Sequence, residues 1–501
     1  MHIRSLRRQR GAADSVGDGS GLSRGYYQRD RLHVLSARHG VLSGFLRVLP
    51  ALFLVFTGRS QSNDPAQPNA TNLMSLSLDQ LLEVKVDSVY GASKYQQKLT
   101  EAPSAVSIVT DDDVKKYGYR TLTDILRGVR GLYVSYDRNY NYLGIRGFNR
   151  PGDYNSRALL LINGHRVNDS VYDTASIGTE FPLDVDLIDR VEIIRGPSSS
   201  IYGNNAFFGV INVITKEGRN LNGAEASGEA GSYGSYKGRF SYGKSFTNGV
   251  ELLLSGSYNN SDGPGRLYFP AFDTASNNVN NGIAERADYD RSYQFFSSLS
   301  YRDFTLEGAF ASREKGIPTG SYGVTFNNPR NRTIDEPGYL DLKYQHTFES
   351  DLEVTSRTYF DYYRYAGDYL YAPVVNKDFA DGKRWGTEAQ ATKKLFDRHT
   401  FIFGAEYRNH FQQDQRNYDL DPYASYLDDR RHNDNWALYG QGEIAVLTNI
   451  ALNAGVRYDN YGTSGDTLNP RLGLIMQPAE PTTFKVLYGR AFRAPNVYEM
   501  L

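Results

Sequence analysis

The chain has 501 residues, with 56 Lys and Arg against 57 Asp and Glu, and a net charge of −1 gives no electrostatic footing for nucleic acid. Cysteine is absent and the eight histidines form no His-x-x-x-His or H-E-x-x-H pair, so disulfide frameworks, thiolate chemistry and a resident metal or cofactor are not expected. The 39 Tyr, 25 Phe and 48 Gly beside only two Trp suit a β-rich wall with aromatic girdles.

In chain order, the first apolar stretch is Val48–Phe56, preceded by Arg31, Arg38 and Arg47. It is too short to cross a bilayer as a helix, which takes about 20 residues, and it reads as the apolar core of a signal peptide. Residues 1–62 are accordingly assigned to an N-terminal extension and signal peptide with cleavage after Ser62, and residues 63–100 to a linker. Within that linker, Leu76–Val86 alternates apolar and polar residues as an extended docking strand does.

Residues 101–217 read as a compact α+β unit. Ala105–Val109 is a strand, and Thr110 with Asp111, Asp112 and Asp113 caps a helix that stops at Gly118. Leu122, Ile125 and Leu126 fall on one face of a second helix, ended by Gly128 or Gly131. Strands follow at Leu143–Gly147, Arg190–Pro197 and Val210–Thr215. Between the first two, Ala158–Val167 is a hairpin turned on Asn163 and Gly164.

The ordered set I-R-G-F, L-L-I-N-G and D-R-V-E-I-I-R-G-P-S-S-S-I-Y-G-N-N-A-F-F-G-V-I-N-V-I-T-K closely resembles the plug domain of TonB-dependent outer-membrane receptors, over Glu101 to Lys216. Phe207 and Phe208 depart from it, standing where many relatives carry smaller residues. The resemblance implies a plug lodged in a barrel in the outer membrane of a Gram-negative bacterium, with lipid around it and the TonB complex as energy source. It implies that Arg146 and Arg195 pair with acidic groups of the inner wall. It also implies a TonB box just before the plug, for which Glu83, Val84, Lys85, Val86 and Asp87 are the candidates, paired with TonB by strand addition.

From 218 to 501 the chain turns to long β segments separated by Gly-, Asn-, Asp- and Pro-rich turns. In Leu352–Tyr362, Leu352, Val354, Thr358, Phe360 and Tyr362 share one face suited to lipid, and Glu353, Thr355, Arg357 and Asp361 share one suited to water. About thirteen such strands fit before Leu501, whereas plugged transporters have about 22. Phe492–Glu499 resembles an internal barrel motif of the family, F-R-A-P-N-x-x-E. The expected fold is therefore mainly β: an incomplete transmembrane antiparallel barrel with the α+β plug in its lumen. The expected chain is a fragment that forms no stable transporter by itself, because an open edge in lipid leaves backbone groups unpaired.

A plugged pore implies gated uptake of something scarce and large, with no bond made or broken. Plug loops aimed outward supply the ligand candidates Tyr136, Arg138, Tyr140, Tyr142, Arg150 and Tyr154, which offer phenol faces and hydrogen-bond donors to a ferric chelate. An iron–siderophore complex is the leading cargo; cobalamin, haem or an oligosaccharide are alternatives. A receptor that mainly signals would carry a further N-terminal domain, for which Ser62–Glu83 is too short. A soluble all-β carbohydrate-active enzyme is the alternative from another class, and it predicts strands stacked in two layers.

Overall fold

The structure, a computed structural model, describes residues 88–148, 152–396, 398–479 and 482–501. The signal-peptide segment, most of the linker, the coupling candidates Glu83–Asp87 and the ligand candidate Arg150 lie outside the described residues.

Strands β1 (Ser88–Val89) and β2 (Gln97–Lys98) pair ahead of the α+β unit. Helix α1 (Asp111–Tyr117) follows β3 (Ala105–Thr110) because the Thr110 hydroxyl accepts from the Asp113 N–H while the Asp113 carboxylate accepts from the Thr110 N–H. Thr121 and Asp124 repeat the device at α2 (Leu122–Arg127), which buries Leu122, Ile125 and Leu126. A hairpin of β4 (Leu132–Tyr136) and β5 (Asn141–Ile145) stands beside the main sheet. That sheet contains β6 (Ala158–Ile162), β7 (His165–Arg166), β8 (Ile188–Arg195) and β9 (Gly209–Thr215) in the order β3-β8-β9-β6-β7. Asn163 at φ +48° and Gly164 at φ +79° make the β6–β7 turn, the left-handed pair that a two-residue hairpin needs. Both faces of the sheet are buried, Leu160, Ile193 and Ile211 on one side and Leu159, Ile194 and Val210 on the other, which explains the unbroken apolar run of β6.

After the short helices α3 (Ser199–Tyr202) and α4 (Gly218–Leu221) the wall begins. It runs through β10 (Gly223–Gly231), β11 (Ser235–Ser245) and β12 (Val250–Ser261). The next loop holds two small ladders, β13 (Arg266–Tyr268) with β16 (Ile283–Glu285) and β14 (Asp273–Thr274) with β15 (Asn277–Asn278). The wall resumes with β17 (Asp290–Tyr301), β18 (Phe304–Gly316), β19 (Arg332–Phe348), β20 (Leu352–Tyr371) and β21 (Val374–Leu395). It continues with β22 (His399–Asp419), β23 (Ala424–Leu447), β24 (Ile450–Tyr461), β25 (Gly465–Ala479) and β26 (Thr482–Gly489). These form one antiparallel sheet of 13 strands, each bonded to the next, and β10 and β26 do not pair with each other among the described residues. One continuous sheet replaces the two stacked layers that a soluble enzyme predicts.

The wall separates its residues by parity. Phe295, Phe403, Leu438, Leu472 and Val486 are each at least 50% exposed on the outer face, an apolar band that only lipid satisfies. The inner face departs from the expectation of water. Arg313, Arg384 and Arg457 are at most 2% exposed, because the α+β unit fills the lumen as a plug and covers them.

Turns 246–249, 302–303, 349–351 and 448–449 make one rim short, while the other carries the loops 262–289 and 317–331. Barrels of this kind put short turns inside and long loops outside, so the second rim faces outward. Strands β20 to β23 have 20, 22, 21 and 24 residues and extend past the bilayer on that side, since crossing takes roughly 9 to 11.

Leu472→Arg places a charge on the lipid-facing side of β25 toward the middle of the crossing and is expected to cost about 2–4 kcal/mol in denaturant unfolding from liposomes. Ser276→Arg in the exposed outer loop is expected to leave the midpoint unchanged.

Candidate functional site

The plug is fixed by wall cations that donate to its backbone carbonyls. The Arg384 guanidinium bonds Asp361 at 2.5 Å and also the carbonyls of Asn168 (2.8 Å) and Arg166 (3.3 Å). Arg457 bonds Asp459 (2.8 Å), Glu406 (2.7 Å) and the carbonyl of Ile201 (2.9 Å). Arg357 donates to the Asn163 carbonyl at 3.0 Å, and Lys485 to those of Leu99 (2.9 Å) and Ala102 (2.7 Å). Arg471 donates to the Pro103 carbonyl and, at 2.7 Å, to Ser104 Oγ. Each guanidinium has five donors, so one side can meet a wall carboxylate while the other caps a plug carbonyl. At Gly203 (φ +71°) a Cβ would stand 2.9 Å from Arg457, so only glycine lets the plug approach this closely.

Plug side chains reciprocate, His165 and Lys94 among them. His165 Nε2 lies 2.8 Å from Asp361 Oδ1, with the ring stacked on Tyr339 at 4.4 Å. Lys94, at φ +59°, pairs with Glu388 and sits 4.8 Å over the Tyr439 ring and 5.1 Å over that of Tyr202. Burial pushes the Lys94 ammonium down, against the pull of Glu388.

On the outward side the plug and wall build a cup of tyrosines. Tyr140 at the β4–β5 tip meets Tyr154 (centroids 5.9 Å apart), which meets Tyr172 (5.8 Å). Tyr172 abuts Tyr363 (6.3 Å) and Tyr365 (6.1 Å) of β20 and Tyr498 (5.8 Å). Tyr365 and Tyr369 share a hydroxyl hydrogen bond of 2.6 Å, and Tyr369 meets Tyr322 of the outer loop at 6.0 Å. The Tyr140 hydroxyl donates to Asp335 at 3.1 Å. Asp169 fixes the loop under Tyr172 by accepting the N–H groups of Val171, Tyr172 and Thr174, each at 2.7 Å. Burial raises the phenols of Tyr140, Tyr154 and Tyr172 well above their ordinary range, so all three present neutral O–H groups. Ring faces with a few hydroxyls at their edges are what a large, partly apolar ligand needs.

Of the sequence candidates, Tyr140 and Tyr154 join this cup. Tyr136 is exposed on β4, and Arg138 at the hairpin tip donates to Asp288 at 3.1 Å. Tyr142 points inward, 3% exposed, and its hydroxyl donates to Asp137 at 2.8 Å to brace the hairpin. Arg146 donates to the Arg195 carbonyl (3.0 Å), and Arg195 to the Arg130 carbonyl (2.7 Å) and Ser107 Oγ (2.9 Å). These bonds lie within the plug rather than on wall carboxylates, because among the described residues the wall answers the plug at other positions. Phe207 and Phe208 form a small aromatic stack with Phe148, the rings of Phe148 and Phe208 5.4 Å apart. The β20 cup residues that sequence reasoning missed had a signal: Tyr363, Tyr365 and Tyr369 occupy odd positions of one strand, in series with Tyr359 and Tyr371, and share its inner face.

Two family models match the chain: the TonB-dependent receptor plug domain over residues 98–210 and the TonB-dependent receptor-like β-barrel over residues 274–501. The vitamin B12 transporter BtuB of Vibrio vulnificus (strain CMCP6) is 32% identical over 179 residues, which is 35% of this chain and 28% of that protein. The ferric citrate transporter FecA in its unliganded form superposes with a TM-score of 0.64 at 16% identity, over 80% of this chain and 64% of that one. The ferripyoverdine receptor of the Pseudomonas aeruginosa outer membrane, bound to ferripyoverdine, superposes with a TM-score of 0.62 at 14% identity, over 82% and 60%. The chain thus spans less than two thirds of each of these relatives, and at such identities the two structures speak for the fold.

Glu388→Gln leaves the Lys94 ammonium buried without its carboxylate and is expected to destabilise the protein by about 3 kcal/mol. Combining it with Lys94→Met is expected to restore most of the loss, read as the thermal midpoint in detergent.

Proposed function

Because this chain belongs to the TonB-dependent receptor family of the outer membrane, we propose that it imports a scarce, large nutrient, foremost an iron–siderophore complex. The observation that carries the reading is the tyrosine cup where plug tip and outer wall meet: Tyr140, Tyr154 and Tyr172 against Tyr363, Tyr365 and Tyr369. Cargo stacks on these rings and bonds their hydroxyls, and no bond in it is made or broken.

Release needs work, since the plug is tied to the wall through buried charges. Glu83–Asp87 supply the handle, adding as a strand to TonB, and the inner-membrane proton gradient supplies the energy. The segment that follows, 88–104, is held by Glu388, Glu443, Arg471 and Lys485 of the wall, so a pull there strains plug–wall bonds first. Arg146 and Arg195 take part in gating by exchanging their present carbonyl partners for carboxylates as the plug moves. A corrinoid cargo is the second reading, supported by the similarity to a vitamin B12 transporter.

Tyr154→Ala is expected to weaken cargo binding about tenfold, the worth of one well-placed ring. Labelled-chelate uptake by cells carrying the receptor is expected to vanish when TonB is deleted while surface binding persists. Equal uptake with and without TonB refutes the proposal.

A further inference from the structure

The motif Phe492–Glu499 follows a wall strand, yet its residues close on the plug. Past β26 the chain stays tied to the wall by the Arg490 N–H, which donates to the Pro470 carbonyl of β25 at 3.0 Å, and by the Phe492 ring, 5.7 Å from Tyr461 of β24. It then crosses inward. The N–H groups of Phe492 and Ala494 donate to Ser199 Oγ (3.3 Å) and Asn204 Oδ1 (2.8 Å). Asn496 Nδ2 donates to the Tyr172 carbonyl at 2.8 Å, and the Val497 N–H to the Val171 carbonyl at 3.2 Å. Val497 is buried with Val171 and with Ala380 of β21, and the Tyr498 ring meets that of Tyr172.

The spacing of Arg493, Asn496 and Glu499 has a physical reason. Asn496 Oδ1 accepts the Glu499 N–H at 2.9 Å, and the Glu499 carboxylate accepts the Asn496 N–H at 3.1 Å, a reciprocal pair that closes the turn. The Arg493 fork holds both oxygens of Glu499, at 2.6 and 2.8 Å. With Oδ1 engaged inside the turn, the Asn496 amide turns Nδ2 to the plug. Loop 169–174 has the matching need. Asp169 takes its N–H groups, but the carbonyls of Val171 and Tyr172 lie in no strand. The two donors of the turn complete them.

Tyr172 is the hub of the cup, touching Tyr154, Tyr363, Tyr365 and Tyr498, so whatever fixes its backbone fixes the cup. Taking the cup as the cargo site and TonB as the source of the pull, both as proposed above, we infer that residues 490–500 are a clasp on the plug. Asn496, held by Glu499 and Arg493, is a positioning residue that seats Tyr172 for cargo. When the plug loop is drawn away the clasp opens, and Tyr172 leaves the cup.

Binding is measured on the full chain in outer-membrane vesicles with a ferric trihydroxamate, a ferric tricatecholate and cyanocobalamin as probes. For the tightest of them, Asn496→Ala is expected to cost about fivefold in affinity, the worth of one hydrogen bond. In a Tyr172→Ala background the same change is expected to cost under about twofold, because the ring through which it acts is gone. An equal cost in both backgrounds, or none in either, overturns the positioning role. Opening is read as thiol labelling of cells supplied with the three probes. The chain has no cysteine, so Val497→Cys and, separately, Val171→Cys each carry a single thiol, at positions 3% and 0% exposed. Each is expected to react about tenfold faster with a membrane-impermeant maleimide when TonB is present than when it is deleted. Equal labelling at both positions, with uptake still dependent on TonB, overturns the clasp and leaves the import reading standing. Failure of all three probes to bind overturns the cargo site, and the positioning role with it.

Discussion

Where the wall crosses the membrane, lipid covers its outer face and the plug covers Arg313, Arg384 and Arg457 of its inner face, and that exclusion of water dictates how the polar groups there are arranged. Strand pairing satisfies the backbone of the sheet between its two edge strands β10 and β26. The plug, however, brings loops and turns into the lumen, and their carbonyls have no ladder to join. Arg357, Arg384, Arg457, Arg471 and Lys485 answer them one by one. A guanidinium bonded only to carbonyls would be an uncompensated charge, so Asp361, Glu406 and Asp459 stand beside the most deeply buried ones. The result is adhesion made of directional bonds rather than apolar contact. Apolar contact resists sliding through loss of area, while directional bonds can be exchanged for water once the plug shifts.

That arrangement also gives the wall an asymmetry along its height. The middle is charged and tightly engaged, and the outward third is phenolic. Tyrosine suits the upper position because its ring is apolar enough to lie against Val171 and Ala380 and its hydroxyl still bonds Asp335 or another phenol. The cup is therefore soft in chemistry yet fixed in geometry, since Asp169 and Asp137 lock the plug loops that carry its inner members.

Much of this was legible in the residues. The parity of Leu352–Tyr362 separates lipid-facing from lumen-facing side chains as the strand does, and the Thr110 and Thr121 caps sit where the two plug helices begin. Asn163 and Gly164 marked their turn for the conformational reason that operates there. What parity could not disclose was the medium on the inner side. Arg357 and Asp361 read as wetted residues because polar alternation looks the same whether the partner is water or another part of the chain. For the same reason Arg146 and Arg195 carried an expectation of wall carboxylates, whereas their present bonds are to plug carbonyls and a serine. Tyr142 was indistinguishable from Tyr140 by type and neighbourhood, and only the pleat of β5 turns one inward and leaves the other at the tip.

The four longest strands have one more effect. With 20 to 24 residues each, tilted as barrel strands are, they rise roughly 15–20 Å clear of the headgroups as a hydrogen-bonded collar. A collar of regular sheet does not fold aside as a loose loop does. Along β20 to β23 the outward side is thus edged by paired backbone rather than by chain free to sway.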